Sequence, residues 1–403
     1  MKHRAYPAYK PSGMEWVGDI PEHWEVRRMK TVARFGYGDS LAADDRVAGP
    51  YKVYGSNGVV DQHDRANTQS PCLIIGRKGS FGKVAFSDKP CFAIDTTYFV
   101  DSRLTAANLR WLYYSLQWLR LDSISKDSAV PGLSREDAYD NRIAFCPLDE
   151  QQTIASFLDR ETARIDTLIE KKQRQIELLQ EKRSALISHA VTKGLDPDVK
   201  MRDSGIEWLG EIPAHWEEIR FKYVLWLQRG HDLPGTEFHE GKYPVCGSNG
   251  CIGYHNQFTT KGPGITVGRS GSVGEVNYID TDYWAHNTAL YVKEFRKAIP
   301  RFSYYLLKTL DVKYLSAGTA VGPLNRNYIH DLPIAIPVIK EQSIIAGFLD
   351  QQTERIDALI GKVEKSINLL REHRTSLISA AVTGKIDVRT VPAGRQEEAP
   401  NAR

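Results

Sequence analysis

The chain has 403 residues, 41% hydrophobic and 26% charged, with a net charge of +3 at pH 7. This is an ordinary globular composition with length for two cores. It contains no run of about 18 apolar residues to form a transmembrane helix. The basic start Met1-Lys2-His3-Arg4 lacks the apolar stretch of a secretory signal.

The five cysteines, Cys72, Cys91, Cys146, Cys246 and Cys251, form no Cys-x-x-Cys pair, which speaks against a zinc site or disulfide framework and for a reducing cytoplasm. A charge of +3 is compatible with a nucleic-acid partner only if basic groups are concentrated locally or another subunit neutralises part of the phosphate charge.

In chain order, the first distinctive stretch is Gly13-Met14-Glu15-Trp16-Val17-Gly18-Asp19-Ile20-Pro21-Glu22-His23-Trp24. It returns 192 positions later as Gly205 to Trp216. Such a period is the length of a domain, not of a solenoid repeat. Trp16, Trp24, Trp208 and Trp216 read as packing anchors, because target-reading residues should vary between copies. His23 and His215 recur without a repeated nucleophile and read as structural.

Next come Tyr54-Gly55-Ser56-Asn57-Gly58 and Cys246-Gly247-Ser248-Asn249-Gly250, where Asn-Gly suits a tight turn. Strands are expected at Cys72–Ile75, Lys83–Phe86 and Tyr98–Val100, and in the second copy at Ile265–Val267, Gly274–Tyr278 and Leu290–Val292. Each first strand leads into a glycine loop, Gly76-Arg77-Lys78-Gly79-Ser80-Phe81-Gly82 or Gly268-Arg269-Ser270-Gly271-Ser272-Val273-Gly274. Such a loop either exposes amides and an arginine to phosphate oxygens or is simply a tight sheet turn. Between copies Lys78 becomes Ser270, Lys83 becomes Glu275 and Asp95-Thr96 becomes Asn287-Thr288. Residues of these types discriminate base edges, although ordinary drift explains the changes too.

A short helix follows, with Leu109, Leu112, Tyr113, Leu116 and Leu119 at helical spacing. The mixture is α+β, without βαβ alternation. From Asp149 the character changes: proline and glycine vanish, and Asp149 before Glu150-Gln151-Gln152 resembles a capping box. Ile165, Ile169, Lys172, Ile176, Leu179, Arg183, Leu186 and Ala190 alternate at spacings of four and three. Ile356, Ile360, Val363, Ile367, Leu370, Arg374, Leu377 and Ala381 repeat the pattern. That is a coiled-coil seam, and each long helix is the obvious partner of the other. Antiparallel pairing would set the domains at opposite ends of the pair in a pseudo-twofold relation.

The expected boundaries are 1–148 for the first domain, 149–192 for the central helix and 193–204 for a linker. The second domain spans 205–339, the C-terminal helix 340–388 and a disordered tail 389–403.

The sequence has no GxxxxGK[ST], HExxH or GxSxG, and no Asn-Pro-Pro-aromatic signature. Glu240-Gly241-Lys242 after Asp232 faintly resembles part of a nuclease motif, but the first copy has Ala48-Gly49-Pro50 there. A catalytic nuclease or methyltransferase fusion is therefore one rival reading. A coiled-coil scaffold binding protein or carbohydrate is another.

The paired Glu-Trp-x-Gly-x-Ile-Pro-x-His-Trp openings, Gly-Ser-Asn-Gly turns, Gly-Arg-x-Gly-Ser-x-Gly loops and the Glu150-Gln151 and Glu341-Gln342 helix starts occur in order, twice. In this the chain resembles the specificity subunit of type I restriction–modification enzymes, from about Gly13 to Val388. The resemblance implies two target-recognition domains, each reading half of a bipartite, asymmetric double-stranded DNA site. It further implies long helices that pair antiparallel, set the spacer and dock two modification subunits. Those subunits would use S-adenosylmethionine to methylate adenine, and separate restriction subunits would use ATP and Mg for translocation and cleavage. This chain would hold no cofactor or metal and perform none of that chemistry. The residues expected at DNA are Tyr54, Ser56, Asn57, Arg77, Lys78, Ser80, Asp95 and Thr96, with Ser248, Asn249, Arg269, Ser270, Ser272, Asn287 and Thr288.

Overall fold

The computed structural model describes residues 4–123, 132–310 and 323–389, so the expected tail lies outside the described residues except for Arg389. The chain forms two compact units, residues 1–171 with 365–403, and residues 172–364. Both boundaries fall inside long helices, Leu148–Lys193 and Ile339–Val382. Each unit thus holds one α+β domain, the start of one long helix and the end of the other.

In the first unit, a four-stranded antiparallel sheet is ordered Gly36–Tyr37, Thr97–Asp101, Cys72–Gly76, Val84–Ser87. Cys72–Gly76 is buried along its whole length, as suits its nearly unbroken apolar run. A three-stranded sheet, ordered Gly58–His63, Tyr51–Gly55, Phe92–Ala93, stands beside it. The second unit repeats both. One sheet holds Leu225–Arg229, Ala289–Phe295, Gly264–Gly268 and Val276–Ile279; the other holds Gly250–His255, Tyr243–Gly247 and Trp284–Ala285. Leu109–Leu119 is helical, with Leu109, Leu112, Leu116 and Leu119 buried, as its spacing requires.

The capping box expected of Asp149 and Gln152 does not form at the first long helix. Helix Leu148–Lys193 already includes Asp149, and the Gln151 amide bonds the Pro147 carbonyl. Glu150 instead reaches the opening turn. One carboxylate oxygen accepts from Trp24 Nε1 at 2.8 Å and the Tyr6 hydroxyl at 3.2 Å, and the other lies 2.6 Å from His23 Nε2. Gln151 accepts from the Asn108 amide and donates to the Cys146 carbonyl, both at 2.8 Å. In the second unit Glu341 holds Trp216 and His215 at 3.1 and 2.8 Å, and Gln342 holds the Ile299 amide at 3.0 Å. Each domain is thus bolted to a helix start by the same two residues.

The long helices run antiparallel within each unit. Glu150 meets Arg389 and Asp166 meets Arg374 in the first, while Arg183 meets Asp357 and the Gly194 turn packs by Glu341 in the second. The expected seam is real: Ile165, Ala190, Ile356, Val363, Ile367, Leu377 and Ala381 are buried.

Two boundaries differ from expectation. The second helix ends at Val382, not 388, because Gly384 turns to φ +72° and lets the Gly384 and Lys385 amides close on the Ala381 and Ala380 carbonyls. Part of the expected linker, Met201–Asp203, is a strand paired with Glu211–Pro213, as Tyr9–Pro11 pairs with Asp19–Pro21. The four tryptophans also divide. Trp24 and Trp216 are core anchors, but Trp16 and Trp208 are exposed, Trp16 stacking on Trp118 with centroids 4.8 Å apart.

Candidate nucleic-acid interface

In the first unit the expected residues come from three chain segments that meet at one end of the two central strands of the four-stranded sheet, where Gly76 pairs with Thr97. The Thr96 carbonyl accepts from the Arg77 and Lys78 amides at 2.8 and 3.2 Å, and the Asp95 carbonyl accepts from the Arg77 guanidinium at 3.2 Å. A Cβ at Gly76 would collide with the Ser80 carbonyl and press on that of Ser56, so only glycine lets the turn and the loop meet this closely. Lys83 Nζ donates to Asn57 Oδ1 at 2.6 Å, tying turn to loop from the outside. The Arg77 guanidinium lies 5.0 Å from the exposed Tyr37 ring, and the Arg135 guanidinium 4.9 Å from the same ring. Two cations thus flank one aromatic face beside the loop.

The second unit keeps this frame and changes its side chains. The Thr288 carbonyl accepts from the Arg269 and Ser270 amides at 2.9 and 3.2 Å, and Gly268 packs against the Ser272 and Ser248 carbonyls. Tyr37's equivalent is Arg229, which pairs with Asp232 at 2.9 Å, and the Asn287 amide donates to the same carboxylate. That Asn287 bond holds the Asp232 carboxyl below the usual range against the cost of desolvation, with Arg229, His286 and Arg269 adding to the effect. His286 Nδ1 lies 2.9 Å from Thr288 Oγ1.

Of the expected residues, Asn57, Lys78, Asp95, Asn249 and Ser272 are exposed. Ser56, Arg77, Ser80, Thr96, Ser248, Arg269, Ser270, Asn287 and Thr288 are half-buried. Tyr54 is a correction: it is buried beside Cys72, Ile74 and Cys91, because the bulge after Val53 faces it inward, and it is not placed to touch DNA.

For the glycine loops, where a phosphate-facing and a tight-turn reading both stood open, the amide partners favour the tight turn. The Arg77, Lys78, Phe81 and Gly82 amides are bonded within the fold, as are those of Arg269, Ser270, Val273 and Gly274. These loops are therefore tight turns that present side chains, with those amides unavailable to phosphate. Sequence reasoning passed over Tyr37 and Arg135, although Gly36-Tyr37-Gly38 already marked an aromatic ring on a bend. The suspected nuclease carboxylate, Asp232, is engaged with Arg229 and Asn287.

Comparison with known proteins agrees with this layout. The family model described as "Type I restriction modification DNA specificity domain" matches twice, at residues 21–178 and 213–369. The chain therefore belongs to the type I restriction–modification DNA-specificity family. It is 22% identical to the type I restriction enzyme MjaVIII specificity subunit of Methanocaldococcus jannaschii, over 92% of this chain and 95% of that one. Among solved structures it is similar to a type I R-M system chain from a study of complex assembly and conformational transition. That match has a TM-score of 0.70 and 12% identity, over 91% of this chain and 99% of the other. It is also similar to the HsdS subunit from Thermoanaerobacter tengcongensis, with a TM-score of 0.51 and 12% identity, over 91% and 98%. This chain is a DNA-specificity subunit with two target-recognition domains, and its part in the multi-subunit enzyme is non-catalytic.

Proposed function

We propose that the chain reads a bipartite, asymmetric double-stranded DNA site in the cytoplasm, one domain per half-site. Its paired helices set the spacer between half-sites and dock two modification subunits, which carry S-adenosylmethionine and methylate adenine. Restriction subunits with ATP and Mg join the same assembly. One observation carries this reading: the same three-segment frame recurs with different outward groups. Arg77, Tyr37, Lys83 and Asn57 stand on one, and Arg269, Arg229, Asp232 and Asn287 on the other. Arg and Asn are suited to guanine and adenine edges, and two unlike sets suit two unlike half-sites.

The test is methylome sequencing of cells with and without the gene. One bipartite adenine-methylation motif is expected to vanish on deletion; an unchanged methylome, or methylation by the purified chain alone, overturns the proposal. In the reconstituted complex, Arg77→Ala is expected to weaken specific binding about 5- to 100-fold. Unchanged affinity and salt slope would remove Arg77 from the interface.

A further inference from the structure

Beside each three-segment site a hairpin, Tyr51–His63 or Tyr243–His255, has its inner strand covered by the third strand of its sheet and its outer strand exposed along the open edge. Val59 is 51% and Val60 48% exposed; Ile252 is 44% and Tyr254 53%. Adjacent apolar residues on an open edge strand are a liability in water unless something covers them.

The base of each hairpin is firm and alike. His63 is buried with Nδ1 accepting the Val47 amide at 3.1 Å, and His255 is buried with Nδ1 accepting the Gln257 amide at 3.0 Å. Gly55, Gly58 and His63 match Gly247, Gly250 and His255. The four residues between differ completely: Val59-Val60-Asp61-Gln62 against Cys251-Ile252-Gly253-Tyr254. One of these positions is covered from within each unit, by different means. Arg46 pairs with Asp61 at 3.3 Å, and the equivalent Phe238 lies so tightly over Gly253 that a Cβ would collide with its ring. The others remain open. Each tip runs into the Ser56-Asn57 or Ser248-Asn249 turn, so the apolar strand is continuous with the polar site.

We infer that the open outer strand and tip of each hairpin enter the DNA major groove, and that Val59, Val60 and Ile252 recognise thymine through its 5-methyl group. The inference deepens the DNA reading above and rests on it. The major groove is about 12 Å wide, with room for a strand edge, and the thymine methyl is the apolar mark it displays. At the first hairpin Lys83, bonded to the tip, supplies positive charge, while Arg46 is neutralised by Asp61.

The experiment uses the full chain with its modification subunits, on duplexes bearing its methylome-defined site with single thymines replaced by deoxyuridine. Losing one contacted methyl is expected to slow methylation about fourfold. Val59→Ser with Val60→Ser removes that sensitivity in one half-site only, Ile252→Ser in the other only, and Val60→Thr, which keeps a branched methyl, retains it. The inference is overturned by a wild-type complex indifferent to deoxyuridine throughout, by a half-site without thymine, or by serine variants as sensitive as wild type. Serine variants that no longer copurify with the modification subunits overturn it in favour of a protein contact. Absence of any motif with wild-type chain sinks the DNA reading itself, a different failure from these.

Discussion

Phe35 and Leu227 hold equivalent places, and each donates its amide to a side chain from a following short helix: Tyr139 Oη at 2.8 Å, His330 Nε2 at 2.9 Å. The hydrogen bond is kept and the acceptor replaced, so only the second unit has an imidazole, whose ordinary titration falls at about pH 6.5, at this place. Burial, and next the Arg326 guanidinium, push the His330 pKa down, with Arg296 and Lys222 assisting and Asp331 opposing. The unfolded chain protonates this imidazole near the usual pH of about 6.5, while the fold keeps it neutral. Its stabilisation is therefore complete above that pH and is lost as pH falls through the depressed folded value. Protection of the Leu227 amide, its exchange rate taken relative to the base-catalysed intrinsic rate, is expected to fall between pH 7 and 5 in the native chain and to change less in His330→Tyr; identical protection profiles would refute this. A similar exchange of means occurs in the satellite cores. Cys72 Sγ and Cys91 Sγ touch at 3.6 Å, where the second unit has Gly264 under the Tyr283 ring. The sequence shows these only as cysteines without counterparts, because compensation across a sheet leaves no spacing pattern to read.

Among elements, the long helices were the most legible, since a 3–4 apolar alternation sustained from Ile165 to Ala190, and again from Ile356 to Ala381, has one good solution. Their starts were not. Asp149 looked like a cap, but the competing demand came from tertiary partners: Trp24 and His23 needed an acceptor, and Glu150 supplies it. The seam and its ion pairs contribute unequally. Leu377 is buried in the first unit's core, and Leu377→Ala is expected to cost about 2–4 kcal/mol. Arg183 and Asp357 are 3.4 Å apart but partly solvated, so Asp357→Asn should cost less than about 1 kcal/mol. Chemical denaturation of the two variants checks the order; a larger loss from Asp357→Asn would show that the pair, not the seam, holds the helices.

At the scale of the molecule, the duplication extends to what is left exposed. Leu148, Leu168 and Leu178 on the first long helix correspond to Ile339, Leu359 and Leu369 on the second, and all six are exposed. Apolar side chains retained at equivalent open positions suit two copies of one partner. Leu168→Asp with Leu178→Asp is expected to drop one modification subunit from the proposed pair, and native mass spectrometry reads the stoichiometry directly. Retention of both subunits would place docking elsewhere. The whole-chain charge of +3 adds an expectation: DNA binding by this chain alone should be weak and salt-sensitive, and stronger once partners join.

The sequence by itself determined the duplication, the α+β class of each copy, the strands around the glycine loops and the helical seam. All of these are local or periodic patterns that survive without knowing what packs on what. Only the tertiary structure decided which repeated residues face inward. It buried Tyr54 and committed the Arg77, Lys78, Arg269 and Ser270 amides to the Thr96 and Thr288 carbonyls. It also split the tryptophans into two core anchors and two exposed rings. The reason is physical: a hydrogen-bonding group is equally polar in sequence whether it faces water, DNA or a carbonyl across the sheet. Which of these it meets is settled by long-range packing.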